Sequence, residues 1–425
     1  MQTRNKYDVI VVGGGTSGCA ASYIAAKLGL KTLIIEKNLH LGGTITSALV
    51  TPAMKTNAEG INTEFFNDLI KYLEKYNGQV TYLDGNSGWF NPEILKIALD
   101  DMMKQVECDI LYNTEFFEIK REDSGLFKIA ANFNSLSLYF ESDFIVDATG
   151  FGFVFQNLNC EFLNPDNISQ STSLRFTMSN IDLKKFEKWI LKIDKDRNVT
   201  SSCHIGNEIH LSTAYTWDTN KNWALEPIFK KAIENDDLNP NDTAYFQVFT
   251  IPGMSTSLAF NCPRIVLDSD NKINSPEIYS KSVANARFQV YRISKFCQKY
   301  LPGFKSAYIS NIADMLGIRE SGRIKGKYVY SESDIVSKNK FKTIAASCDY
   351  PIDIHSSQQN QSELSFAAGN YYLPIESLIS SDYDNLFAVG RCLSASFKAQ
   401  AALRTQTTCF SMGEAVARYI KSKLI

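Results

Sequence analysis

Three glycines near the start of the chain, Gly13, Gly15 and Gly18, stand in a GxGxxG register, and an acid, Glu36, follows 18 residues after the last of them. That spacing suits a diphosphate. The first glycine makes a tight turn, the second lets phosphates approach bare backbone, and the third lets a helix lie close on a strand. Thr16 and Ser17 complete the glycine loop, and the helix that follows it offers free N–H groups and the positive end of its dipole. Glu36, with Lys37 beside it, is placed to accept both hydroxyls of a ribose. Two further groups have reactive types. Asp353 and His355 alternate, which in a strand puts them on one side. Such a carboxylate could fix the imidazole tautomer while the imidazole takes a proton, and Arg319 is taken as the third catalytic residue; a polar turn bonded to backbone would use the same Asp353 and His355. Arg319 and Arg323 are four apart, so a helix would set both guanidinium groups on one face. They would then clamp a carboxylate or phosphate, or form internal ion pairs with Glu320 or Asp314.

The surrounding elements agree with the glycine pattern. Residues 7–12 form a continuous apolar, β-branched run, the pattern of a strand buried on both faces of a parallel sheet. A small-residue helix over 19–28 and a strand over 32–35 complete a βαβ unit. Leu41-Gly42-Gly43-Thr44 then supplies a second glycine pair. It suits a chain that runs along an adenosine and pyrophosphate before turning under a flavin. A second pair is rare there in NAD-binding domains, so FAD is expected. Asn91-Pro92 caps a helix to about residue 106. Strands over 109–113, 115–120, 126–133 and 136–141 read as a meander, ending in a buried strand over 144–150. Its small end, Ala148-Thr149-Gly150 after Asp147, can abut the dinucleotide.

From about 151 to 307 the chain is richer in Asn, Asp, Lys and aromatics, including Trp189, Trp217 and Trp223. Strands over 173–178, 208–213 and 244–251 and helices over 183–193 and 276–300 predict a mixed α/β lobe closing over the reactive end of the cofactor. A buried strand over 385–390 ends in Gly390-Arg391. The helix from about 406 to 423 would point its positive end at the flavin edge where charge gathers on reduction.

Composition excludes several other classes. With 425 residues the chain suits two lobes, and a net charge of −2 sets up no field for nucleic acid or anionic lipid. The 9 Cys residues are scattered with no CxxC pair, so zinc and iron–sulfur readings fall away and no metal is expected. Dispersed thiols, no signal peptide and no apolar run of membrane length give the expectation of a soluble cytoplasmic protein without membrane or nucleic-acid partners. No second GxGxxG marks an NAD(P)H domain.

The segments DVIVVGGGTSGCAAS (8–22), EKNLHLGGTITSALVTP (36–52), DATG (147–150), IRESGRIKGKYVYSESDI (318–335), YPIDIH (350–355) and the stretch from 371 to 415 occur in order. Through them the chain resembles the FAD-dependent oxidoreductase family of the glutathione-reductase-like, two-dinucleotide-binding superfamily. The resemblance implies an α/β fold: a Rossmann-like FAD-binding domain (parallel sheet with β-meander) over 1–150 and 311–425, with a mixed α/β substrate domain inserted over 151–310. It implies FAD contacts at Gly13, Gly15, Gly18, Glu36, Gly42, Gly43, Thr44, Asp147, Gly150, Gly390 and Arg391, with Arg319-Glu320 close to the flavin-bearing core. His40 lies where some flavoproteins attach FAD covalently, but its short offset from the glycine pair favours non-covalent FAD. Cys392 and Cys409 are expected near the flavin as packing residues. The implied activity is hydride transfer between a small organic substrate and the flavin, with O2 or a redox partner as electron acceptor. A flavin monooxygenase supplied by NAD(P)H or a partner reductase is the alternative enzyme, and a non-catalytic FAD-binding subunit of an electron-transfer complex is the alternative of another class.

Overall fold

The computed structural model describes residues 5–56, 59–164, 170–216, 223–243, 245–265, 275–355, 362–365 and 369–424; Trp217, Ala244 and the first four residues lie outside them. Strand β1 (Lys6–Val12) runs into helix α1 (Thr16–Lys27) and returns as β2 (Thr32–Ile35). The helix begins at Thr16 rather than Cys19, because extended Gly15 serves as its N-cap. Alternate residues of β1 feed two cores. Val9 and Val11 face α1 and the helices beside it, while Ile10 and Val12 face the meander side.

Helix α2 (Glu64–Lys75) buries Phe65, Leu69 and Leu73 at helical spacing, and α3 (Pro92–Gln105) starts on the expected Asn91 cap. Strand β3 (Asp109–Leu111) extends the parallel sheet, and β4 (Thr114–Arg121), β5 (Phe127–Phe133) and β6 (Leu136–Asp147) form the meander. The sequence predicts two strands over 136–150, but β6 is continuous. Its first half pairs antiparallel with β5, and from Glu141 onward it pairs parallel with β1. One strand therefore serves both halves of the sheet, and no turn is needed between them.

A six-stranded antiparallel sheet is built from β7 (Phe176–Ser179), β8 (Thr200–Ile205), β9 (Glu208–Thr216), β10 (Tyr245–Thr250), β11 (Leu258–Phe260) and β12 (Tyr308–Ile312), in the order β8-β9-β10-β11-β7-β12. Helices α4 (Leu183–Ile193) and α5 (Pro276–Tyr300) cover one face. That core is aromatic, with Phe176 stacked on Phe260 at 4.4 Å and Phe229 on Phe296 at 4.6 Å. Phe246 and Val248 point into it, which turns Tyr245, Gln247 and Phe249 to the opposite face.

The chain returns through β13 (Ile352–His355) and β14 (Leu386–Ala388), then α6 (Phe397–Leu403) and α7 (Gln406–Lys423). Strand β14 pairs parallel with the end of β6. Helix α7 lies against α1 so closely that a Cβ on Gly413 would sit 2.1 Å from the carbonyl oxygen of Ser17. Among the described residues no helix is long and apolar enough to cross a membrane.

Candidate functional site

The register lines up the carboxyl ends of five parallel strands. Leu111 pairs with Ile35, Ile35 with Val12, Val12 with Asp147, and Asp147 with Ala388. Glu36, Gly13, Ala148 and the Val389-Gly390 turn therefore emerge side by side. The crevice outside such an edge is where open α/β sheets hold dinucleotides.

Each glycine here has a separate cause. Gly13 has φ +99°, and a Cβ on Gly18 would fall 2.0 Å from the Gly13 carbonyl oxygen, so both are fixed by the fold. Gly15 is different. Its backbone is extended, and a Cβ would meet only the Ala148 carbonyl oxygen at 3.8 Å. Neither conformation nor packing within the chain demands a glycine at 15. The bare backbone there fits a diphosphate lying against it, under the N–H groups of the first turn of α1, which has no side-chain cap. The second pair answers to the first loop. Gly42 donates to the Gly14 carbonyl at 2.8 Å, and a Cβ on Gly43 would lie 2.8 Å from Gly15 Cα. Thr44 meets Thr16 hydroxyl to hydroxyl at 3.4 Å.

Glu36 is buried at the crevice edge. Its Oε2 accepts from Gly14 N–H at 2.6 Å, and its Oε1 accepts from the Asn38 backbone and side chain at 2.8 and 2.6 Å. A carboxylate has about four lone-pair sites, so capacity remains for a ribose hydroxyl. Exposed Lys37 follows it. His40 turns its Nδ1 toward the Leu41 carbonyl at 3.4 Å. The Asp147 carboxylate is turned inward. It accepts from Thr149 N–H and hydroxyl and from Val154 N–H at 3.0, 2.7 and 2.9 Å, and thereby sets the path of Ala148, Thr149 and Gly150. Burial pushes its pKa up from the usual carboxylate range. Arg391 donates through Nε to the Gly150 carbonyl at 2.9 Å and through Nη1 to the Ile318 carbonyl at 2.8 Å, and lies over the Phe151 ring. The thiols of Cys392 and Cys409 are buried, and burial holds both protonated, with Cys409 pushed up to about 11.

Beyond Ile318 lies a second cluster. Arg319 donates to the Ser171 carbonyl at 2.7 Å, and Gln400 bridges the carbonyls of Arg319 and Arg391. Residues 319–323 do not form the helix that would have set Arg319 and Arg323 on one face. A bridge from Ile324 to Phe162 and the close fit of Gly326 against Ser394 and Ile379 draw this segment out straight. Arg323 consequently leaves its neighbour and donates to the carbonyls of Ala395 and Asn164.

Asp353 and His355 do share a side of β13, with Nε2 and Oδ2 3.1 Å apart. The other ring nitrogen, Nδ1, lies 3.0 Å from Nη2 of Arg264. A guanidinium can only donate, so Nδ1 is the acceptor and Nε2 carries the hydrogen that Asp353 receives. This corrects the expected role of the pair: the lone pair that would take a proton is already engaged by Arg264. Burial, and next the charge of Arg319, lower the His355 pKa to about 3, which makes it a weak base. His355 lies edge-on to Tyr245, and the Arg264 guanidinium lies over that same ring.

Arg175, Arg264 and Arg404 complete the cluster, and sequence reading missed all three. Arg404 donates to the Asp353 carbonyl at 2.9 Å and to Gln170 Oε1 at 3.2 Å. Arg175 donates to the carbonyls of Leu49 and Thr51, on the loop after the second glycine pair. The available signal was a lone Arg set among small or apolar neighbours, as in SLRFTM, NCPRIV and AALRTQ.

The family model for FAD dependent oxidoreductases matches residues 8–423. The curated relatives align over short stretches. A digeranylgeranylglycerophospholipid reductase of Methanococcus vannielii is 38% identical over 81 residues, 19% of this chain and 21% of that enzyme. A dihydrolipoyl dehydrogenase of Trypanosoma brucei brucei is 51% identical over 72 residues, 17% of this chain and 14% of that enzyme. The matches thus span well under two thirds of those relatives' lengths. Among solved structures, a geranylgeranyl bacteriochlorophyll reductase-like protein of Thermoplasma acidophilum is similar over 99% of this chain and 79% of that one, at 15% identity and a TM-score of 0.44.

Proposed function

This chain belongs to the FAD-dependent oxidoreductase family, and from that premise we propose that it moves a hydride between a small organic substrate and FAD, as a dehydrogenase or oxidase. The flavin supplies the two-electron chemistry when bound; the chain supplies position, charge and exclusion of water. In this reading Gly13, Gly15, Thr16, Ser17 and Gly18 hold the pyrophosphate through backbone N–H groups, and Glu36 with Lys37 holds the adenosine ribose. Gly42, Gly43 and Thr44 line the crevice floor, Ala148, Thr149 and Gly150 its side, and Gly390 and Arg391 its far end. Helix α7 brings its positive end to the same place.

The observation that carries the reading is continuity. Arg391 binds Gly150 in the crevice and the carbonyl of Ile318, one residue from Arg319, so the cofactor edge and the buried arginine cluster share a wall. Arg319 faces substrate in this account, while Asp353 and His355 are positioning residues: the imidazole links the carboxylate to Arg264. The test is anaerobic mixing of the purified holoprotein with a panel of hydroxy acids and amino acids, following loss of the flavin's visible absorption. Bleaching by one class of alcohol or amine, with no need for nicotinamide, is expected. Bleaching by NADPH alone, followed by substrate-stimulated reaction with O2, would contradict the proposal in favour of a monooxygenase.

A further inference from the structure

Resting on that reading, we propose that the substrate is an organic acid whose carboxylate is held by Arg175, Arg319 and Arg404 where the two sheets meet. The charge at this place is lopsided. Arg175, Arg264 and Arg319 are under a tenth exposed, and Arg404 is buried nearly as well. Asp353 lies among them: its carboxylate bonds His355 and is 3.7 Å from Arg404. Glu320 accepts from the Gln170 backbone N–H at 3.0 Å. Buried cations are costly unless paired, and here four arginines gather in one buried place. The strain appears in Arg319, whose pKa falls to about 9 through burial and then through the charges of Arg404, Arg175 and Arg264. Arg175 falls to about 10, chiefly through burial.

A second observation points the same way. Several polar groups here are buried with no partner among the described residues: Nε of Arg175, Nε of Arg404, Nε2 of Gln170 and the Ser171 hydroxyl. Buried donors in a native fold are seldom left unmade, so each of these invites an acceptor. The Nη1 of Arg175 is occupied by the Leu49 and Thr51 carbonyls, which leaves its Nε edge, the side that forks onto a carboxylate. Those same carbonyls lie on the loop that follows the crevice glycines, so an acid held by Arg175 sits beside the cofactor.

The experiment is an equilibrium titration of the FAD-loaded protein with succinate, followed by perturbation of the flavin's visible spectrum. Inorganic phosphate, chloride and 1,4-butanediol serve as comparators. Saturable perturbation by succinate and none by the diol is expected, with Arg404→Gln weakening it about tenfold or more, the loss of one charge-assisted bond. Arg175→Gln is the second variant, and flavin content with the melting curve establishes that each variant is folded and loaded. No saturable response to succinate, an equal response to chloride, tighter binding of phosphate, or unchanged affinity in both variants would each overturn the proposal. Flavin that dithionite still reduces after such a failure would leave the hydride-transfer reading standing, so the two fail separately.

Discussion

The crevice at the strand ends and the arginine cluster beside it touch through Ile318 and Arg319, yet they are built in opposite ways. The crevice is main chain. Its groups are mostly backbone N–H donors and glycines, with the carboxylates of Glu36 and Asp147, and most come from two continuous stretches, residues 13–44 and 147–150. The cluster is side chain. Its arginines come from β7's entry, the strand after Cys262, the straight segment at 319 and the joint between α6 and α7. A rigid sheet edge fixes the first, so it is preorganised without a ligand. The second gathers like charge in a dry place, so it depends on acids such as Asp353 to hold it together.

The largest expected effect breaks the cluster alone. Asp353→Asn removes the acid between His355 and Arg404 and should cost about 3–5 kcal/mol of unfolding free energy, as expected when one partner of a buried pair is removed. Chemical denaturation measures it, and the flavin content of the folded fraction should be unchanged. Next, Gly15→Ala should break the crevice alone. The added Cβ fits the fold, so the melting curve stays put, but FAD affinity should fall about a hundredfold, or about 2.7 kcal/mol, through lost phosphate contacts. Gly18→Ala is the contrast, because its Cβ would strike the Gly13 carbonyl and lower stability as well.

The pH dependence should separate the regions more finely. The folded pKa of His355, about 3, lies below its unfolded value, so the unfolded chain binds the extra proton between about 6.5 and 3. Stability is therefore fully present above about pH 6.5 and falls by about 1.4 kcal/mol per unit as pH drops through that window. Denaturation midpoints at several pH values should show His355→Gln flattening this slope, while the slope of Gly15→Ala stays that of the parent. The smallest effect is a control outside both regions. Asn91 caps α3 by accepting from Glu93 and Ile94 N–H, so Asn91→Ala should cost about 1 kcal/mol by thermal melting, with flavin and succinate binding intact.

What could be read from the sequence follows the same division. The βαβ unit, the Asn91 cap, α4, α5 and the C-terminal helix were legible because each depends on neighbours in the chain: a glycine register, a cap, a helical period. The long strand β6 was not, since Ser142 and Asp143 look like a break until β1 is known to lie beside them. The glycines at 42 and 43 were found, but their cause, contact with Gly14 and Gly15, is tertiary. Asp353 and His355 were correctly paired because alternation in a strand is local. Their chemistry was misread because Arg264, 91 residues away from His355, decides which nitrogen holds the hydrogen. A lone Arg among small or apolar neighbours is the one local sign of Arg175, Arg264 and Arg404, and it does not say which distant groups they bind.

The most direct test of the central claim is the visible absorption spectrum of the purified protein, taken before and after acid precipitation. The account predicts the two bands of an oxidised flavin, released into the supernatant as free FAD. A colourless protein that takes up no FAD on reconstitution would contradict it.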